Sequence, residues 1–98
     1  MKRLWLKSPA DLDYLQALEF YEKRLPGLGK EFDAELLALF ERIKQNPELF
    51  QKETDEVRKA RMPRFQYRIY FTVEADEIGV VAIWHPSRNP DALRQRFK

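Results

Sequence analysis

Cysteine is absent from this chain of 98 residues, and histidine occurs once. The first absence excludes disulfides, thiolate chemistry and cysteine-held metals. The second excludes a multi-histidine metal centre. No cofactor is expected. Long apolar runs are missing as well. The longest, Ile78 to Trp84, has seven residues, where a bilayer span takes about 20. The opening Met1-Lys2-Arg3-Leu4-Trp5-Leu6-Lys7 is basic, but its apolar part is too short for a signal peptide. The cytoplasm is therefore the expected compartment, and a membrane is not an expected partner.

What is present is a normal globular balance, 44% hydrophobic and 35% charged, so disorder is not expected. A chain this short buries roughly 60–70% of its unfolded surface, enough for one core. Residues 1–98 are read as a single domain. The net charge of +2 hides an asymmetry. Residues 1–56 carry 9 Lys/Arg and 12 Asp/Glu, or −3, and residues 57–98 carry 9 and 4, or +5. Such a basic half points to an anionic partner, either nucleic acid or an acidic protein segment, unless its arginines only keep a sheet face solvated.

Lys2 to Leu6 reads as a first strand. Ser8-Pro9 then offers an N-cap and a first helical residue, with Asp11 suited to the positive helix start. Leu12, Leu15, Leu18, Tyr21 and Leu25 recur three or four apart, predicting a helix over 9–24 with these residues in the core. Leu25-Pro26-Gly27 breaks it. Leu28, Phe32, Leu36, Leu39 and Ile43 predict a second helix over 28–46, widened by Leu37 and Phe40 and stopped at Asn46-Pro47. The short breaker implies an antiparallel helix pair. Residues 47–56 read as a charged connector, and 57–62 as a strand whose Lys59 and Arg61 suit a sheet edge.

From Phe65 the chain alternates strictly. Phe65, Tyr67, Ile69, Phe71 and Val73 share one parity; Gln66, Arg68, Tyr70, Thr72 and Glu74 share the other. A period of two is a strand with one buried face. Ala75-Asp76-Glu77 is the turn, and 78–85, apolar on both parities, is the interior strand that pairs with 65–74. Ile69, Phe71, Val80 and Trp84 should lie beside Leu36 and Leu39. Residues 91–98 form a short tail with at most a turn or two of helix. Helices grouped before a run of strands give α+β in the order β-α-α-β-β-β. Pairing 65–74 with 78–85 also predicts that Arg68, His85 and Arg88 gather at the open end of the hairpin.

At this point the sequence resembles the RelE/ParE superfamily of bacterial type II toxins over about residues 3–97. Gly27-Leu28-Gly29-Lys30-Glu31-Phe32 looks like the opening of that family's second helix, and Asn46-Pro47 like its end. Arg64-Phe65-Gln66-Tyr67-Arg68-Ile69-Tyr70-Phe71 looks like the R-F-P-Y-x-I-x-Y strand, with Gln66 where proline is usual. His85-Pro86-Ser87-Arg88-Asn89-Pro90 looks like the H-x-x-R-x-P ending of the ParE branch. The resemblance implies a toxin silenced by a cognate antitoxin in a hetero-oligomer. It implies one of two targets: DNA gyrase for ParE-like members, or messenger RNA on the ribosome for RelE-like members.

The two targets ask for different chemistry. Cleavage of RNA needs an acid, a base and cations around the phosphate. Arg61, Arg68 and Arg88 are the cations in matching places, and His85 is the candidate acid or base, histidine being the residue type whose ordinary pKa is nearest neutrality. Those four residues are the catalytic set if the chain is a nuclease. The lack of a tyrosine after Arg88 and the H-x-x-R-x-P ending favour the ParE-like, non-enzymatic alternative. Arg58, Lys59, Arg61 and Arg64 are the expected contacts for antitoxin carboxylates. A binding domain that kept the fold without toxicity is the third possibility.

Overall fold

The alternation after Phe65 becomes a strand three residues later than expected, at Arg68. In this computed structural model, which describes residues 2–98, Pro63, Arg64 and Phe65 form a turn, and Gln66 directly after it has φ 64°. Met1, the first residue of the basic opening, lies outside the described residues. The Gln66 N–H donates to Met62 O, and the Met62 N–H donates to Tyr67 O. Proline cannot take a positive φ. The residue that departs from the resembled pattern is thus the one whose backbone proline could not adopt. Phe65 and Tyr67 still keep their parity and pack into the core.

The elements are β1 (Arg3–Leu6), α1 (Ala10–Arg24), α2 (Leu28–Gln45), a 3-10 turn (Pro47–Leu49), β2 (Gln51–Lys52), β3 (Val57–Arg61), β4 (Arg68–Val73), β5 (Glu77–Trp84) and α3 (Pro90–Arg96). The sheet runs β1-β5-β4-β3-β2. β1 lies parallel to β5, and the other pairs are antiparallel. The architecture is α+β, three helices on a mixed five-stranded sheet. β5 is interior, as its apolar residues require. β3 is interior too, because β2 in the supposed connector pairs outside it. Its cations therefore do not mark an edge.

α1 and α2 cover one face of the sheet. The turn between them depends on Gly27, at φ 92°, and on Gly29, whose Cβ would meet Leu18 O at 2.9 Å. The Glu22 carboxylate accepts from both glycine N–H groups at 3.0 and 3.1 Å, satisfying donors at the start of α2. At the other end of α1, Pro9 and not Ser8 occupies the cap position, and the helix begins at Ala10. Phe32, Leu36, Leu39, Phe40 and Ile43 of α2 are buried against Ile69, Phe71, Ile78, Val80 and Ile83.

α1 does not bury the stripe its leucines trace. Ala10, Asp13 and Ala17 point inward, with Tyr14, Leu18 and Tyr21 partly buried. Leu12, Leu15 and Leu25 are 52%, 58% and 57% exposed, and Leu37 of α2 is 50% exposed. The inward positions 10, 13, 14, 17, 18 and 21 are as helical in spacing as the leucines. Small residues there let α1 sit close to the sheet.

The second sheet face carries its own cluster: Val57, Tyr70, Ala82 and Trp84, covered by Leu93 of α3 and flanked by Phe97. Trp84 is on this face and not beside Leu36 and Leu39. The cause is a bulge. Tyr70 pairs with Ala82 but Phe71 pairs with Val80, leaving Val81 as the extra residue. Val80 and Ile83 therefore share the hairpin side despite opposite parity, and Trp84 turns away. The tail is ordered as α3, capped by the Asn89 side chain accepting from the Asp91 N–H at 2.8 Å, with Pro90 first in the helix.

Candidate functional site

β1 pairs with β5 only as far as Val80, where the Lys7 N–H continues the ladder to Val80 O at 2.9 Å. The chain then leaves for α1, and the rest of that β5 edge loses its strand partner. Two side chains replace it. Asp13 Oδ2 accepts from the Ile83 N–H at 3.0 Å, and Arg96 Nη1 donates to Val81 O at 3.0 Å. Arg96 also grips Asp13 with both Nη atoms at 2.9 Å. This is the bidentate fork that arginine, but not lysine, can make. Asp13 is the one buried charged residue among those described, 4% exposed.

Arg88 is the second cation on this carboxylate. Its Nη1 donates to Asp13 Oδ1 at 3.3 Å. Its guanidinium lies 3.7 Å from the Trp84 ring centre, while that of Arg96 lies at 5.0 Å. The carboxylate partner of Arg88 is thus Asp13, from the far end of the chain. Trp84 Nε1 is buried without a hydrogen-bond partner among the described residues.

His85 is turned elsewhere. Its ring meets Tyr67 edge-on at 5.2 Å. Its Nδ1 accepts from the Ser87 N–H at 3.1 Å and lies 2.8 Å from Ser87 Oγ. Burial pushes the Tyr67 phenol up. Arg68 shares no hydrogen bond or ion pair with His85 or Arg88 among the described residues, so the three are not bonded into one cluster at the hairpin's open end. Arg68 instead faces Arg61 across the β3–β4 pair and Trp84 across the β4–β5 pair.

The other basic residues divide by partner. Arg58 donates to the carbonyls of Glu48 and Phe50 at 3.2 and 2.7 Å, tying β3 to the 3-10 turn. Lys59 pairs with Glu53 at 3.3 Å, and Arg64 with Glu31 at 2.7 Å. Arg61 and Arg68 have no carboxylate within 4.0 Å among the described residues. They line a notch of about 420 Å³ with Met62, Pro63, Gln66 and Pro86. Burial pushes the Tyr70 phenol up, and Arg68 beside it opposes that rise.

The family described as ParE toxin of type II toxin-antitoxin system, parDE, matches residues 6–90. The chain belongs to the ParE toxin family. No curated protein matches it in sequence. A solved structure, described as the chromosomal ParDE TA system from P. aeruginosa, shares the fold at TM-score 0.75 and 18% identity. That match covers 87% of this chain and 96% of the other. The ParE match opens at the end of β1 and closes on the first residue of α3, so Asp13 and Arg88 fall within it and Arg96 beyond it. Sequence reasoning missed Asp13 and Arg96. The available signal was an aspartate among the small residues that form the inward face of α1. Among the described residues of this ParE chain, no helix is long and apolar enough to cross a membrane.

Proposed function

We propose that this ParE-family chain is a toxin that acts in the cytoplasm by trapping DNA gyrase, without chemistry of its own. The observation that carries this is where Arg88 points. The cation that a nuclease would aim at phosphate beside His85 is instead paired with Asp13 and stacked on Trp84. His85 turns its Nδ1 to Ser87. With Arg88 so engaged, His85 lacks the cation expected to hold the phosphate in RNA cleavage by the 2′-hydroxyl route. The family match to ParE points the same way.

A cognate antitoxin is the proposed partner, in a hetero-oligomer with the toxin. Leu12, Leu15 and Phe20 of α1 and Leu37 of α2 present apolar surface on the outside of the helix pair. Exposed apolar surface of this kind suits a partner's amphipathic segment. Of the cations expected to meet antitoxin carboxylates, Arg61 has no carboxylate partner among the described residues, while Arg58, Lys59 and Arg64 would first have to exchange their partners. The test uses purified toxin with gyrase, relaxed plasmid and ATP, and in parallel a ribosome-programmed translation reaction. We expect supercoiling to be inhibited or cleaved DNA to accumulate, with messenger RNA intact. Cleaved messenger RNA with unaffected supercoiling would overturn the reading in favour of the RelE-like alternative.

A further inference from the structure

We infer that the notch between Arg61 and Arg68 binds the phosphate backbone of duplex DNA, a contact made by the toxin itself and independent of the gyrase reading. Two arginines directly opposite in an antiparallel pair stand about 5 Å apart at Cβ, and like charges so placed destabilise the sheet. Neither has a carboxylate within 4.0 Å among the described residues, although most neighbouring cations do: Lys59 holds Glu53 and Arg64 holds Glu31. The repulsion is therefore left for something outside the chain to relieve. The notch opens to solvent between Pro63, Gln66 and Pro86. Its cations are guanidiniums, whose planar forks match phosphate oxygens.

The lining decides between kinds of nucleic acid. Apart from the two arginines it consists of Met62, Pro63, Gln66 and Pro86, with no aromatic ring on which a splayed base could stack. Single-stranded RNA is held largely by such stacking. Backbone contact without base contact is what a duplex offers, and it carries no sequence preference. Tyr70 and Trp84, the aromatics beside Arg68 on that face, are buried in the cluster with Leu93 of α3.

The experiment is fluorescence anisotropy of a labelled duplex of about 20 base pairs, with salt raised from about 20 to about 200 mM. Wild-type toxin should bind weakly, and log K should fall with log salt. Each phosphate neutralised contributes about 0.9 to that slope, so R61Q/R68Q should flatten it by about 1.8, while R61K/R68K should keep it. K30Q, a control on α2, should change the slope by less than either single glutamine variant. If the double variant does not fold by circular dichroism, R61Q and R68Q are measured singly, each losing about 0.9. Three results would each overturn the inference: no binding of duplex by wild type, an unchanged slope in folded variants, or preference of the notch for single-stranded RNA or polyglutamate over duplex. Loss of gyrase inhibition would not bear on it, because binding is read on DNA alone.

Discussion

The two faces of the sheet are built by different means. Under the helix pair, Phe32, Leu36, Ile43, Ile69, Phe71 and Val80 are fully buried, and shape and apolar area hold them. Under α3 the buried set is five residues, Val57, Tyr70, Ala82, Trp84 and Leu93. Beside this smaller set, Arg88 and Arg96 stack on Trp84 and meet Asp13 at the strand edge. Large cores tolerate ignorance of polar detail. Small ones rely on a few directed bonds, so one side chain can decide whether a whole element stays in place.

The contrast can be broken at three strengths. Phe71→Ala, in the larger core, should lower stability by about 3–5 kcal/mol, a large share of what a domain of this size possesses. Chemical denaturation reads it, and an unchanged midpoint would remove Phe71 from the core. Asp13→Ala should cost about 3 kcal/mol, because it leaves Arg96 and the Ile83 N–H without their partner where water is scarce. Hydrogen exchange should show the loss concentrated at Val81–Ile83 and α3; uniform loss would mean that Asp13 serves the whole fold equally. Leu93→Ala should cost about 2 kcal/mol, at the lower end for leucine because the site is near the surface. It should free α3 while the near-ultraviolet signal of the other face persists.

The mildest change sharpens the comparison through pH. Tyr14 donates to Asp33 at 2.5 Å, a polar tie between α1 and α2, and that bond pushes its phenol up to about 12. A raised pKa favours the protonated form in the folded state. Its contribution is whole below the ordinary tyrosine value of 10 and is lost as pH rises through 12. Burial also raises Tyr21, Tyr67 and Tyr70. Stability should therefore fall between about pH 10 and 12, and Tyr14→Phe should make that fall shallower. An equally steep fall in the variant would place the titration on the other three phenols alone.

How much of this was legible depends on the residue. Ile69 and Phe71 announce their face by the period of two, and the stripe of α2 announces its own by the helical period. Leu12 and Leu15 mislead for the same reason: periodicity says that residues share a face, not which face is covered. Asp13 was hidden because an aspartate reads as surface until its partners are known, and these stand 70 to 83 residues away. Arg88 was visible as important but not as paired. The opposition of Arg61 and Arg68 needed the register, which the turn at Gln66 determines.

The single extra residue at Val81 acts as a phase shifter. Up to Val80 the strand keeps one beat of in and out; from Ala82 it keeps the opposite beat. Length here is therefore a kind of information, separate from residue identity. Removing one residue, Val81, would restore a single beat and leave every later side chain on its present face, Ile83 beneath the helix pair and Trp84 towards α3, because Ala82 would then follow Val80 directly. Removing one from the exposed turn at Ala75-Asp76 would shorten a loop and leave both beats alone. An alignment of relatives that moves a gap from that turn into residues 80–82 would accordingly assign the side chains from Glu77 to Val80 to the wrong side of the sheet.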